Sequence, residues 1–264
     1  MTPLAANLPN EAGAWDLDWS YAYLERLYGA LRQRFQLACL GDAEEVIAAG
    51  TKPVAFVRHD IDVSLHRAVS LARREKGWSV RSTYHVMIDS PFYDVKTEAS
   101  RQMLAELVSL GHEVGLHYDV SARGTREVDE PSRARDIGAA CDELGAVVGA
   151  PVRSVSFHLP VQELLRGPLR VAGRVSGYGE ALFRWYLSDS RARWREGEPL
   201  ASLDQPKDRV LQILVHPVWW GETNERPEIR LREVVKGLAT ERGEPYDVVR
   251  ERMNDHILYR AADA

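Results

Sequence analysis

The chain alternates short, nearly continuous apolar runs with longer stretches in which apolar residues recur every three or four positions. Residues 1 to 14 are polar and read as irregular. From Trp15 the pattern changes, and Leu24, Leu27, Leu31 and Phe35, with Tyr23 and Tyr28 beside them, mark an amphipathic helix expected to cover the bottom of a sheet. Pro53 then opens Val54-Ala55-Phe56-Val57, a run of β-formers expected of a strand covered on both faces, which stops at Arg58-His59-Asp60. Ser64 is placed to N-cap a helix whose apolar face is Leu65, Ala68, Val69 and Ala72, with Gly77 at its C-cap. The unit recurs. Val80 to Val86 reads as a strand, and Thr97 caps a helix carrying Met103, Leu104, Leu107 and Val108 that Gly111 ends. Val114 to His117 is the third strand, followed by a helix with Ile137, Ala140, Cys141, Leu144 and Val147, and Ser154 to His158 is the fourth. Between Leu169 and Tyr186 three glycines, Gly173, Gly177 and Gly179, interrupt the pattern, so only a short strand ending at Leu187 is expected; Val210 to Val215 is clear again. Two helices close the chain, one on Leu231, Val234, Val235 and Leu238, the other opened by Pro245 and carrying Val249, Met253 and Ile257.

Strands alternating with helices argue for a parallel sheet, and about seven such units suit an α/β barrel that is closed or nearly closed. A chain of 264 residues with 45% hydrophobic residues can bury the core such a barrel needs. We place an N-terminal extension with one helix at 1–50 and the barrel at 51–264. A net charge of -5 leaves no basic footprint for nucleic acid, and the longest apolar runs, such as Val210 to Val215 with Gln212 inside, are too short to span a bilayer. Met1 to Ala14 lacks the basic start and apolar core of a secretory signal, so a cytoplasmic address is expected. Cys39 and Cys141 both fall in helix-like patterns and read as reduced core residues. Nothing in the sequence specifies an oligomeric state.

The polar chemistry gathers at the C-terminal ends of the expected strands: Arg58-His59-Asp60-Ile61-Asp62, Glu113 to Asp119, Ser156-Phe157-His158, Ser188-Asp189-Ser190 and Val215-His216-Pro217. In a parallel barrel those ends open onto one face, so residues distant in sequence converge there. Asp60 and Asp62 alternate along an extended segment and can project to the same side, where two carboxylates stay ionised cheaply only beside a cation. One can bind an ion while the other serves as a base toward water. The same pair also admits a purely structural reading, with Asp62 capping the next helix and Asp60 paired to Arg58. His117 and His158 are ligand-type residues at strand tips, Gly115 permits a close approach beside them, and Tyr118 and Asp119 can orient nearby groups. Each histidine alone could equally be a satisfied buried residue. His216, before Pro217 and Trp219-Trp220, is the candidate general acid, or a histidine held under the aromatic pair. His66, His85 and His256 are read as structural, and His112 as a turn or supporting residue.

Assembled, these motifs resemble the polysaccharide deacetylase superfamily with NodB homology, of the carbohydrate esterase family 4 type, and most resemble its divergent WbmS-like branch, linked to bacterial surface polysaccharides. Arg58-His59-Asp60-Ile61-Asp62 is similar to the family's first motif, which implies Asp60 as catalytic base and Asp62 as metal ligand. Gly111-His112-Glu113-Val114-Gly115-Leu116-His117 is similar to its second and implies His117 as a ligand; Leu214-Val215-His216 is similar to the closing motif and implies His216 as general acid. The fold implied is a distorted (β/α)7 barrel. Two positions depart from the family. A second metal histidine, normally four residues after the first, is Ser121 here, and the third motif's arginine is absent from Ser156-Phe157-His158-Leu159-Pro160. His158 is therefore expected to complete the metal triad with Asp62 and His117, Arg58 to take the part of the missing arginine, and Asp189 to orient His216.

The expected function is metal-dependent hydrolysis of an N-acyl (acetyl) group on a sugar, nucleotide-sugar or lipid-linked glycan. The divalent ion would be zinc, with nickel, cobalt or manganese as other candidates, and Trp194, Trp219 and Trp220 are either sugar-stacking or core residues. Two other readings remain: a different metal-dependent C–N or ester hydrolase on the same barrel, and a non-catalytic carbohydrate-binding relative.

Overall fold

The computed structural model describes residues 18–257; the irregular stretch expected over 1 to 14 lies outside them. The elements in chain order are α1 (Tyr21–Arg34), β1 (Gln36–Ala38), α2 (Ala43–Ala49), β2 (Val54–Ile61), α3 (Leu65–Gly77), β3 (Thr83–Val86), α4 (Glu98–Ser109), β4 (Glu113–Asp119), α5 (Glu130–Val148) and β5 (Ser154–His158). There follow β6 (Arg170–Val171), β7 (Arg174–Ser176), β8 (Trp185–Ser188), the single turn α6 (Pro199–Ser202), β9 (Val210–Val215), α7 (Pro227–Arg242) and α8 (Tyr246–Ile257). They build one sheet in the order β6-β7-β5-β4-β3-β2-β9-β8, with β1 paired to β2. Every pairing is parallel except β6 with β7. The seven parallel strands β7, β5, β4, β3, β2, β9 and β8 curl around a common interior, but the edge strands β6 and β8 do not pair, so the expected distorted α/β barrel is an open half-barrel.

Alternation along the strands sorts side chains onto two surfaces. On β2, Ala55 and Val57 face the helices, in a cluster with Leu24, Leu27 and Leu31 of α1 and Leu231 and Val235 of α7. Val54 and Phe56 face inward with Val175, Leu182 and Val210. Arg58 and Asp60 continue the inward row. Across the open seam, Gln212 of β9 donates through Nε2 to the Gly177 carbonyl at 2.9 Å, and the Arg58 guanidinium lies over the Tyr178 ring at 4.6 Å. These contacts draw β9 and β2 toward the end of β7 where no ladder bonds do.

Several expectations are corrected. α1 covers the outer face of β2, β8 and β9, not the bottom of the sheet; the bottom is closed by Ala38, Leu40 and Ala43, with Val46 and Ile47 of α2 packed against them. β2 runs four residues past Val57, because Arg58 to Ile61 pair with Thr83 to Val86. β3 starts at Thr83, not Val80: Ser79 takes a left-handed φ of 58° and the Val80 amide turns back to the Glu75 carbonyl at 2.8 Å. Gly77 is accordingly the last helical residue of α3. Cys39 lies between β1 and α2, outside any helix; both thiols are free and buried, and burial pushes each up to about 11. Among the described residues no helix is long and apolar enough to cross a membrane.

His59 and His112 are occupied behind the sheet. His59 donates through Nδ1 to the Val215 carbonyl at 3.1 Å and pairs through Nε2 with Glu75 at 2.7 Å. Glu75 also accepts from Ser82 at 2.6 Å and Tyr84 at 2.8 Å, while His112 lies 2.9 Å from Ser82. This buried polar hub satisfies groups that would otherwise be costly there, and ties α3 to β2 and β3.

Candidate metal centre

All seven predicted site residues, Arg58, Asp60, Asp62, His117, His158, Asp189 and His216, converge at the C-terminal ends of β2, β4, β5, β8 and β9, and all are buried. At the base, Arg58 grips Asp60 with two bonds, Nε at 2.9 Å and NH2 at 2.6 Å. Burial alone would raise the Asp60 carboxyl, but the Arg58 guanidinium overcomes it and holds the group well below the usual carboxylate range. The structural alternative for the Asp-x-Asp pair is thus half realised. Asp60 does pair with Arg58, whereas α3 is capped by Ser64, whose hydroxyl accepts from the Arg67 amide, leaving Asp62 free for the site.

From Asp60 a chain of bonds fixes the tautomer of His117. The Ser156 hydroxyl donates to Asp60 Oδ1 at 3.1 Å, so Ser156 Oγ must itself accept from His117 Nδ1 at 2.7 Å. The proton therefore sits on Nδ1. In the neutral imidazole Nε2 is then bare and faces Asp62 Oδ1 at 3.0 Å, and among the described residues that oxygen has no hydrogen-bond partner. Two lone-pair-bearing atoms held face to face in a buried site call for a cation between them. His158 approaches the same oxygen, Nδ1 to Oδ1 at 3.6 Å, and its Nε2 is also unpartnered. Ligand atoms from Asp62, His117 and His158 lie within 4.8 Å of one another. Separations of 3.0 and 3.6 Å bracket the ~3.3 Å between two ligands of a tetrahedral zinc ion. The residue after His158, Leu159, takes a left-handed φ of 44°, a conformation uncommon outside glycine and often found at functional sites.

On the opposite wall, His216 donates through Nδ1 to Asp189 Oδ1 at 2.6 Å, and Asp189 also accepts from the His216 amide at 3.0 Å and from Trp220 Nε1 at 2.7 Å. His216 Nε2 faces Asp62 Oδ2 at 3.8 Å. Burial would lower the imidazolium, but Asp189, with Asp62 and Asp60 behind it, pushes it up to about 9. Trp220 and Trp219 are fully buried and Trp194 nearly so, which places all three in the core; Trp220 orients Asp189 instead of stacking on a sugar. Tyr118 points away from the site, toward Thr125 and Asp136. Ser121, at the position of the family's second histidine, is exposed, and its amide is capped by Asp119 Oδ1 at 2.8 Å.

Three contributors escaped the sequence reading. Ser156 carries the relay that sets His117, and strand alternation could have found it, since Ser154, Ser156 and His158 share one side of β5. His85 lies 3.5 Å from Asp60 and is pushed down to about 4 by burial, hence neutral. His256 of α8 stacks on His158 with ring centroids 4.3 Å apart.

Gly115 makes room for this arrangement. A Cβ there would stand 2.5 Å from His85 Cδ2 and 2.6 Å from Ser154 Oγ. Gly115→Ala is expected to cost about 1 to 3 kcal/mol in urea unfolding through this overpacking; unchanged stability would show that the interior is looser than described.

No family model and no curated protein matches the chain. Solved structures similar to it include the Streptococcus pyogenes deacetylase PplD, with 9% identity over 50% of this chain and 59% of that one, and a TM-score of 0.39. BA3943, a carbohydrate esterase family 4 pseudoenzyme from Bacillus anthracis, aligns at 13% identity over 74% of this chain and 63% of that one, with a TM-score of 0.43. The peptidoglycan deacetylase PdaC from Bacillus subtilis aligns at 14% identity over 77% and 94%, with a TM-score of 0.44. The chain thus spans less than two thirds of the length of the first two. With TM-scores below 0.5 these are distant likenesses, and no residue's role is taken from them.

Proposed function

We propose that the protein is a metal-dependent hydrolase that removes an N-acyl group from a sugar or sugar precursor. The observation that carries this reading is the bare Nε2 of His117 held 3.0 Å from the unpartnered Asp62 Oδ1, with His158 beside them. One carboxylate and two imidazoles form a donor set suited to zinc, with cobalt, nickel or manganese as substitutes. A divalent ion there would supply Lewis-acid charge where the acyl oxygen becomes negative.

The remaining chemistry belongs to the chain. Asp60, kept ionised by Arg58, accepts a proton from the attacking water; His216, protonated at neutral pH, donates from Nε2 to the departing nitrogen as the C–N bond breaks. The products are a carboxylate and a free amine. Asp189 holds His216 by Nδ1, so that Nε2 is the nitrogen turned to the site. The sequence resemblance implies a precursor of a bacterial surface polysaccharide, nucleotide-linked or lipid-linked, as substrate.

The test is acetate release from free, nucleotide-linked and lipid-linked N-acetylhexosamines, with bound metal measured in parallel. Wild-type protein should release acetate from at least one form, and His117→Ala should bind metal at least about tenfold more weakly and lose at least ~100-fold in rate. Acetate release by His117→Ala at the wild-type rate, or none by metal-loaded wild type from any form, would contradict the proposal.

A further inference from the structure

Beyond the triad, a second group of ligand-type side chains stands at the same mouth. Asp119 at the end of β4, His158 at the end of β5 and His256 in the last turn of α8 place one ligand atom each within 4.8 Å of one another. Proximity of this kind is common, so the state of the individual atoms decides. His158 is 7% exposed, its Nδ1 is directed to Asp62, and its Nε2 has no partner. His256 Nε2 is likewise buried without a partner among the described residues. Asp119 uses Oδ1 to cap the Ser121 and Ala122 amides, at 2.8 and 3.0 Å, which leaves its charge facing the two imidazoles. Two orphaned imidazole nitrogens beside a carboxylate oxygen cost free energy unless something binds them.

His256 is also anchored. Its ring stacks on His158 at 18° between planes and meets Phe92 edge-on at 5.3 Å, while Val249, Met253 and Ile257 of the same helix are buried against the core. Packing of α8 therefore delivers the ring to the site, with one of its nitrogens within 4.8 Å of the ligand atoms of Asp119 and His158.

We propose that Asp119, His158 and His256 form a second, outer metal position, which shares His158 with the inner triad and pins the C-terminal helix over the site when an ion occupies it. This rests on the reading of Asp62, His117 and His158 as the inner position. Because His158 is common to both, the two are alternative stations for one ion, the outer reached first from solvent. The missing helix-side ligand at Ser121 is thereby offset by one brought from the far end of the chain.

The test uses the full chain, stripped of metal and titrated with Co²⁺, read by its visible absorption, with hydrogen exchange of Tyr246–Ile257 followed in the same samples. His117→Ala, which disables the inner station, should still bind one equivalent of Co²⁺ at least about tenfold more weakly than wild type, and the ion should slow exchange in α8. Adding His256→Ala, or the near-isosteric Asp119→Asn should either histidine variant fold poorly, should abolish that residual binding. If His117→Ala binds nothing while wild type binds Co²⁺, or if the residual binding survives both second changes, the outer position is overturned and the inner one stands. If wild type binds no Co²⁺, the inner reading falls with it.

Discussion

Asp60→Asn is expected to lower the unfolding free energy by about 3 to 5 kcal/mol, in addition to cutting turnover by ~10²- to 10⁴-fold. A near-isosteric change of this kind would ordinarily spare the fold and remove only catalysis. The structure alters that expectation. Arg58 is fully buried, and its guanidinium makes two bonds to Asp60, so the asparagine variant leaves a buried cation without its counter-charge. The double change Arg58→Met with Asp60→Asn should recover part of the lost stability in urea unfolding but none of the activity. A single variant as stable as wild type would mean that the pair is solvated. The sign of the pH dependence follows: the Asp60 carboxyl titrates below its unfolded value near 3.8, so the pair's contribution is intact above that pH and fades as pH falls through the lower folded value.

Asp189→Asn is the second large effect. Asp189 accepts from the His216 side chain, the His216 amide and Trp220, and its charge is the main influence holding His216 protonated against burial. An amide in its place has a single oxygen, so it can keep the bond from His216 Nδ1 or the one from Trp220 Nε1 but not both, and it supplies no charge. Turnover should fall by ~10²- to 10⁴-fold, the range for loss of a positioned proton donor, while bound metal stays at the wild-type level because none of the three inner ligands touches Asp189. Comparing kcat with metal content separates this from a folding defect. A rate within about twofold of wild type would remove His216 as the acid.

What the sequence made legible was the inward row of polar strand ends. Alternation places Asp60 and Asp62 on one side of an extended segment, and a parallel sheet carries every such end to one face, where Arg58, His117, His158, Asp189 and His216 also stand. It could not see which hydrogen bonds those groups would choose. His59 looks as chemically promising as Asp60 in the string Arg58-His59-Asp60, yet alternation turns it outward to Glu75. Trp219 and Trp220 sit next to His216 and left open whether they stack on a sugar or pack in the core; Trp220 does the latter, against Trp19 and Tyr23 of the N-terminal region, a contact 197 or more residues away in sequence. His256 was hidden for the same reason. Nothing in the helical pattern of Val249, Met253 and Ile257 tells that α8 ends over β5.

The open seam was also beyond the sequence, because barrel closure depends on whether the short, glycine-interrupted strands β6 and β7 meet β8, and their hydrogen bonds go elsewhere. The seam is bridged by side chains, Gln212 and Arg58, which periodicity counts simply as polar interruptions in apolar strands.

The central claim is that the ends of β2, β4 and β5 hold a divalent ion, and an anomalous-difference map from zinc-loaded crystals tests it most directly. The expected result is one strong peak within bonding distance of Asp62, His117 Nε2 and His158. A zinc-loaded crystal with no peak at that position, or with His158 beyond bonding distance of it, would contradict the account.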